Sequence, residues 1–149
     1  MEYSNTVKNK FSKFLSLTFK DKIKTLVYSI TFHLFILTFR IFGYKKTRKI
    51  IDKIISSINN NKNINKKFIE NESKIIGHAV GNSLFNSACL EKSLFTYLIL
   101  GIYGIKTELK FGVNNSTDDF SAHAWVEYNG MIVNDLPEVI GRISPFKNI

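Results

Sequence analysis

The chain holds a single cysteine, Cys89, and three histidines, His33, His78 and His123. Cys89 stands near the start of Ala88-Cys89-Leu90-Glu91-Lys92-Ser93-Leu94-Phe95-Thr96-Tyr97-Leu98-Ile99-Leu100, a run of little polarity that reads as a helix buried over most of its circumference. Asn86 or Ser87 can cap its start, and Gly101 its end. A cysteine in the first turn lies among unpaired backbone N–H groups at the positive end of the helix dipole. That environment stabilises an anion and favours a thiolate nucleophile. Taken alone, a free cysteine among apolar neighbours is a small buried hydrophobe. The segment downstream changes that reading.

Ile105 to Val113 alternates apolar and polar residues, the pattern of a half-buried strand. Asn114 to Asp119 is a polar loop in which Asp118 and Asp119 are expected to be solvated. Strands over 120–128 and 131–135 flank Asn129-Gly130, a hairpin signal, which makes a helix followed by a three-stranded antiparallel sheet. His123 and Asp135 stand on either side of the turn, and its type decides whether they meet. A two-residue loop pairs Tyr128 with Met131, hence Ala124 with Asp135, and sends His123 to the other face. A three-residue loop closed by a left-handed Gly130 pairs Glu127 with Met131 and sets His123 opposite Asp135, with Cβ atoms about 5 Å apart. The three-residue loop is expected. An imidazole oriented by a carboxylate is what a general base needs. Cys89 on a helix start, His123 on a strand and Asp135 on its neighbour then match nucleophile, base and orienter. Trp125, two residues after His123, shares its sheet face, either shielding the pair or serving as a core aromatic.

These elements lie in the second half of a 149-residue chain that is 44% hydrophobic and 22% charged, enough for one modest core. The composition excludes a collagen-like repeat, a fully disordered chain and a disulfide framework. The first half is different. Residues 1–74 carry 16 Lys/Arg against 5 Asp/Glu, and residues 75–149 carry 5 against 7. A basic half suits an anionic membrane, an acidic partner or nucleic acid, while abundant Lys, Asn and Ile throughout give a purely compositional account of the same bias. Phe11, Phe14, Leu15 and Phe19 are spaced like one helical face. A strongly apolar helix follows over 23–42, with Gly43 as its stop. Its uncharged stretch, Thr25 to Phe39, has 15 residues and spans roughly 22 Å, short of the ~30 Å hydrocarbon core, so a buried or interfacial helix is expected. Further helices are expected over 46–58 and 66–82, joined by an Asn/Lys-rich linker. The organisation expected is a helical basic region over 1–65 and a core over 66–149. His33 and His78 sit in apolar helical stretches without acidic or Cys partners at ligand spacing, so no metal site is expected. The first residues do not read as a signal peptide, which points to the cytoplasm.

Ser87-Ala88-Cys89-Leu90-Glu91-Lys92-Ser93-Leu94, the strand Gly104 to Val113, and Phe120-Ser121-Ala122-His123-Ala124-Trp125-Val126-Glu127 closely resemble the lasso peptide maturation proteases, the stand-alone protease half of the split microcin-processing proteins. That family is a transglutaminase-like branch of the papain-like superfamily. The similarity is strongest over residues 68–136 and most specific in Cys-Leu-x-x-Ser-Leu with Ala-His-Ala-Trp-Val-Glu. It implies an α+β fold, a papain-like core in which the Cys helix packs on a small antiparallel sheet. It implies Cys89, His123 and Asp135 as the triad of a leader peptidase acting on a ribosomally made precursor peptide. It also implies two protein partners, a separate leader-recognition protein and an ATP-dependent macrolactam synthetase. No cofactor is expected on this chain, which has no Gly-rich phosphate loop, and no nucleic acid is expected as a partner. One departure stands out. The chain contains no Gln, the residue that completes the oxyanion hole in many papain-like enzymes. The Cys89 backbone N–H supplies one donor, and Asn82 or Asn86 is the candidate for the second.

Three rival readings accompany this one. The fold can serve as a non-catalytic scaffold that recruits the precursor to the synthetase. The same thioester, met by a peptide amine instead of water, makes the site an acyltransferase. The basic apolar helix over 23–42 can make a peripheral membrane contact.

Overall fold

A computed structural model describes residues 18–58, 64–81, 87–114, 121–136, 140–141 and 143–146. Helix α1 spans Phe19–Ser56, α2 Lys66–Gly81 and α3 Cys89–Ile102. Strands β1 (Glu108–Asn114), β2 (Ser121–Tyr128), β3 (Met131–Ile132) and β4 (Ser144–Pro145) form one antiparallel sheet in the order β3-β2-β1-β4. This is the expected α+β arrangement. Phe11, Phe14, Leu15 and the loop with Asp118 and Asp119 lie outside the described residues.

Helix α1 begins where Thr18 Oγ1 accepts the Asp21 N–H at 3.3 Å and is bent at Gly43, whose φ of 71° and ψ of 174° no helix permits. The two helices expected on either side of Gly43 are therefore present, joined by a kink instead of a loop. Thr25, Tyr28, Phe32 and Ile36 recur at helical spacing as the buried face of the first part, with Thr47 and Ile51 continuing it. Tyr28, Phe32 and Ile36 meet Ile69, Ile75, Ile76 and Ala79 of α2 and Phe95, Ile99 and Leu100 of α3 in one core. Rings anchor its centre: Phe95 lies 5.0 Å from Phe32 and 5.5 Å from Phe35, centroid to centroid.

One buried charge joins α1 to α2. The Glu72 carboxylate, 1% exposed, accepts a short hydrogen bond from Tyr28 Oη and an ion pair from Lys24 Nζ at 2.8 Å. Two donors offset the cost of its burial. Helix α1 is long and apolar enough to cross a membrane. Its inner face, however, is committed to this network and to the core.

Three sequence expectations need correction. Ser87 does not cap α3: the N-cap is Ala88, which has no side-chain acceptor, and the other candidate, Asn86, lies outside the described residues. Glu91 Oε2 instead takes the Ala88 N–H at 2.9 Å, half of a capping box. Gly101 does not end α3. The stop is Gly104, at φ 78°, with Gly104 N–H on Gly101 O and Ile105 N–H on Leu100 O, a Schellman motif. Gly101 is needed for packing, since a Cβ there would come within 2.4 Å of Ile55 Cδ1. The sheet has a fourth strand, β4, which crosses β1 so closely at Gly112 that a Cβ would lie 2.7 Å from Ser144 O.

Candidate active site

Cys89 is the first residue of α3 and is partly exposed. Lys92 N–H makes the first helical bond, to Ala88 O, so the Cys89, Leu90 and Glu91 N–H groups have no partner within the helix itself. Glu91 places a carboxylate in the same turn. Arg40 Nε lies 3.6 Å from its Oε1 and balances that charge.

One turn further along α3, Ser93 is fully buried. Its hydroxyl donates to Ala124 O at 2.8 Å. Cys89 and Ser93 are four residues apart on one helix face, and Ala124 adjoins His123. The helix that carries the thiol is thus bonded to the strand that carries the imidazole.

The hairpin is not the one expected. Tyr128 pairs with Met131 and Glu127 with Ile132, a two-residue loop in which Asn129 and Gly130 both take positive φ, 48° and 76°. This is a type I′ turn, whose twist matches the strands it joins, whereas the three-residue loop needs only glycine to be left-handed. Continued without interruption, this register would put His123 and Asp135 on opposite faces. They nevertheless meet: His123 Nε2 lies 2.5 Å from Asp135 Oδ2. The expected strand over 131–135 stops at Ile132 and bends through 133–135. Val133 N–H still bonds Val126 O at 3.0 Å. The Val126 N–H goes instead to Asn134 Oδ1 at 2.7 Å. With a side-chain oxygen in place of the ladder carbonyl, the chain leaves the pleat and Asp135 turns to His123.

Asp135 is held at both oxygens, since Oδ1 accepts the Leu136 N–H at 2.8 Å. The pair is mostly sheltered, with side chains 22% and 24% exposed. Trp125 is buried and lies against His123, ring centroids 6.5 Å apart at 19°. Its Nε1 donates to Glu127 Oε1 at 2.7 Å, so alternate residues of β2 brace the imidazole. A cavity of about 440 Å³ between α2, α3 and β3 reaches Asn134 and Asp135. A larger cleft of about 790 Å³ includes Trp125 and Glu127 but none of Cys89, His123 and Asp135. Donor and acceptor geometry therefore marks the site better than cavity size.

Of the sequence-predicted residues, the structure pairs His123 with Asp135, sets Trp125 against His123 and starts α3 with Cys89. Asn82 and Asn86 lie outside the described residues. Sequence reasoning missed Asn134 and the bracing role of Ser93. Ser93 carries a signal, its i+4 spacing from Cys89, whereas Asn134 reads only as a turn residue. Among the described residues no group of three His, Cys, Asp or Glu side chains could hold a metal ion. His33 Nδ1 is engaged with Ser29 O at 2.5 Å.

A model of the transglutaminase-like superfamily matches residues 69–147, the half that contains these groups. Over 135 residues the chain is 31% identical to the microcin J25-processing protein McjB of Escherichia coli. The match covers 85% of this chain but 62% of that relative's length. No solved structure matches the chain.

Proposed function

The chain belongs to the transglutaminase-like superfamily, and from that premise we propose that it is a cysteine peptidase that cuts the leader from a ribosomally made lasso precursor peptide before macrolactam formation. The observation that carries this reading is the pairing of His123 Nε2 with Asp135. It leaves Nδ1 for a thiol, on a strand bonded to the helix of Cys89. The likeness to a microcin-processing protein supports a peptide of the same class as substrate.

In this mechanism Cys89 gives its proton to His123 Nδ1, and the thiolate attacks the scissile carbonyl. The oxyanion forms beside the Cys89 backbone N–H, with Asn82 or Asn86 as the second donor. The C–N bond breaks as the imidazolium protonates the leaving amine, which leaves a thioester on Cys89. Water then loses a proton to His123, attacks the thioester and releases the acid, and the thiol is restored. Asp135 holds the ring tautomer and the transient imidazolium throughout. A separate leader-recognition protein and an ATP-dependent synthetase work with this chain in the cytoplasm. ATP is used by the synthetase.

Mass spectrometry of a lasso precursor incubated with this protein, the recognition protein and ATP tests the reading. A single cut after the leader, absent with Cys89→Ala, is expected. Uncut peptide with both proteins folded would turn the reading to a recruiting scaffold. Cutting by both would place the nucleophile elsewhere.

A further inference from the structure

The first part of α1 carries a second apolar face, opposite the one in the core. Ile23, Val27, Ile30, Leu34, Leu37 and Ile41 are 49–68% exposed, and they recur at intervals of four, three, four, three and four. That is the heptad seam of a coiled coil, sustained for nearly three repeats with only aliphatic side chains. The neighbouring hydroxyls are turned inward: Thr31 Oγ1 donates to Val27 O at 2.9 Å and Thr38 Oγ1 to Leu34 O at 2.8 Å. The seam therefore offers nothing that needs water. A contiguous apolar patch of this kind marks an interaction surface.

Charge selects the occupant. Lys20 and Lys22 stand at one end of the seam, and Lys45 and Lys46 at the other. Of the nearby acids, Glu72 is neutralised by Lys24 and Glu91 by Arg40, while Asp21, hydrogen-bonded to the neutral Thr18, offsets only one of the two lysines beside it. A second copy would set lysines against lysines in either orientation, parallel or antiparallel, and like charges on a shared seam are disfavoured. A helix that spanned a membrane would have to leave the Tyr28–Glu72–Lys24 network and the core. We propose that this face docks an amphipathic helix of a partner protein, one with aliphatic residues at heptad spacing and acidic residues on its shoulders. The inference does not depend on the peptidase reading.

The test uses the full chain and two synthetic 24-residue peptides with Leu at the a and d positions. One peptide carries Glu at e and g and the other Lys, so that each repels itself and stays monomeric. Fluorescence anisotropy is expected to show the acidic peptide binding at least tenfold tighter than the basic one. Leu34→Ser/Leu37→Ser, at exposed positions, is expected to weaken it at least tenfold with an unchanged circular dichroism spectrum. Leu34→Ser alone serves as the milder variant. Equal binding of both peptides, binding of neither, or insensitivity to both variants overturns the proposal. Concentration-dependent dimerisation abolished by the seam variant would overturn it in favour of a second copy. Seam-dependent binding to phosphatidylglycerol vesicles, without peptide binding, would overturn it in favour of a membrane surface.

Discussion

Asn134 Nδ2 donates to Ser93 Oγ at 2.8 Å. Through that bond one amide links α3, strand β2 and the bend that presents Asp135. Ser93 spends its own proton on Ala124 O, and Asn134 Oδ1 accepts from Val126 N–H. Both the oxygen and the nitrogen of Asn134 are therefore required. Asn134→Asp keeps the shape but turns a second acceptor toward a hydroxyl oxygen with no proton to offer it. Single-turnover cleavage is expected to slow roughly 100-fold, the scale of an ångström-sized misplacement at a reacting centre, with KM little changed. Ser93→Ala should slow it similarly, and the double variant no further, because the residues act as one unit. Independent, multiplying effects would refute the shared role.

Asp135 contributes orientation and charge to the imidazole, not bulk to the core. Asp135→Asn preserves the shape and the Leu136 contact while removing the charge beside His123. Cleavage is expected to fall by about 10³ to 10⁴, with unchanged thermal unfolding. Wild-type rates in this variant would leave the His123–Asp135 pair as a structural bond only.

The parts of this fold that were legible in the sequence are those set by local chemistry. The alternation of Ile105 to Val113, the apolar side of α2, the low polarity of α3 and the break at Gly43 each follow from the nearest few residues. The meeting of His123 and Asp135 was foreseen from the wrong register. The hairpin is the tight type I′ turn, and the correction comes from Asn134 displacing a ladder carbonyl, a contact that depends on where Ser93 lies. The role of Gly101 was equally hidden, because its cause is Ile55, a residue 46 positions earlier that only the tertiary fold brings near. The β4 crossing at Gly112 is of the same kind. Long-range approach, unlike periodicity, leaves no local mark.

Gly101 gives a stability prediction of its own. A methyl group there meets Ile55 at both Cδ1 and Cγ1, at 2.4 and 2.5 Å, so the two helices must separate or Ile55 must leave its rotamer. Gly101→Ala is expected to cost about 1–3 kcal/mol, read as a lower urea midpoint at constant m-value. In Ile55→Ala, which itself costs about 2–5 kcal/mol, the added methyl fills vacated space. The double variant should therefore be more stable than the two single losses predict. Simple additivity would mean that the contact is relieved elsewhere.

The Tyr28–Glu72 contact predicts how stability responds to alkali. Burial, and then the hydrogen bond to Glu72, push the Tyr28 phenol well above its ordinary value of 10.0. The native state therefore holds this proton more tightly than the unfolded chain does. Below about pH 10 both states are protonated and the stabilising contact is fully present. Above it the unfolded chain releases the proton while the native state keeps it, so stability falls as pH rises. Tyr28→Phe should cost about 1.5–3 kcal/mol at pH 8, the worth of a hydrogen bond to a charged group. The gap between wild type and variant should narrow between pH 10 and 11.5 in urea melts. A gap that stays constant across that range would mean that Tyr28 titrates alike in both states and that Glu72 does not hold its proton.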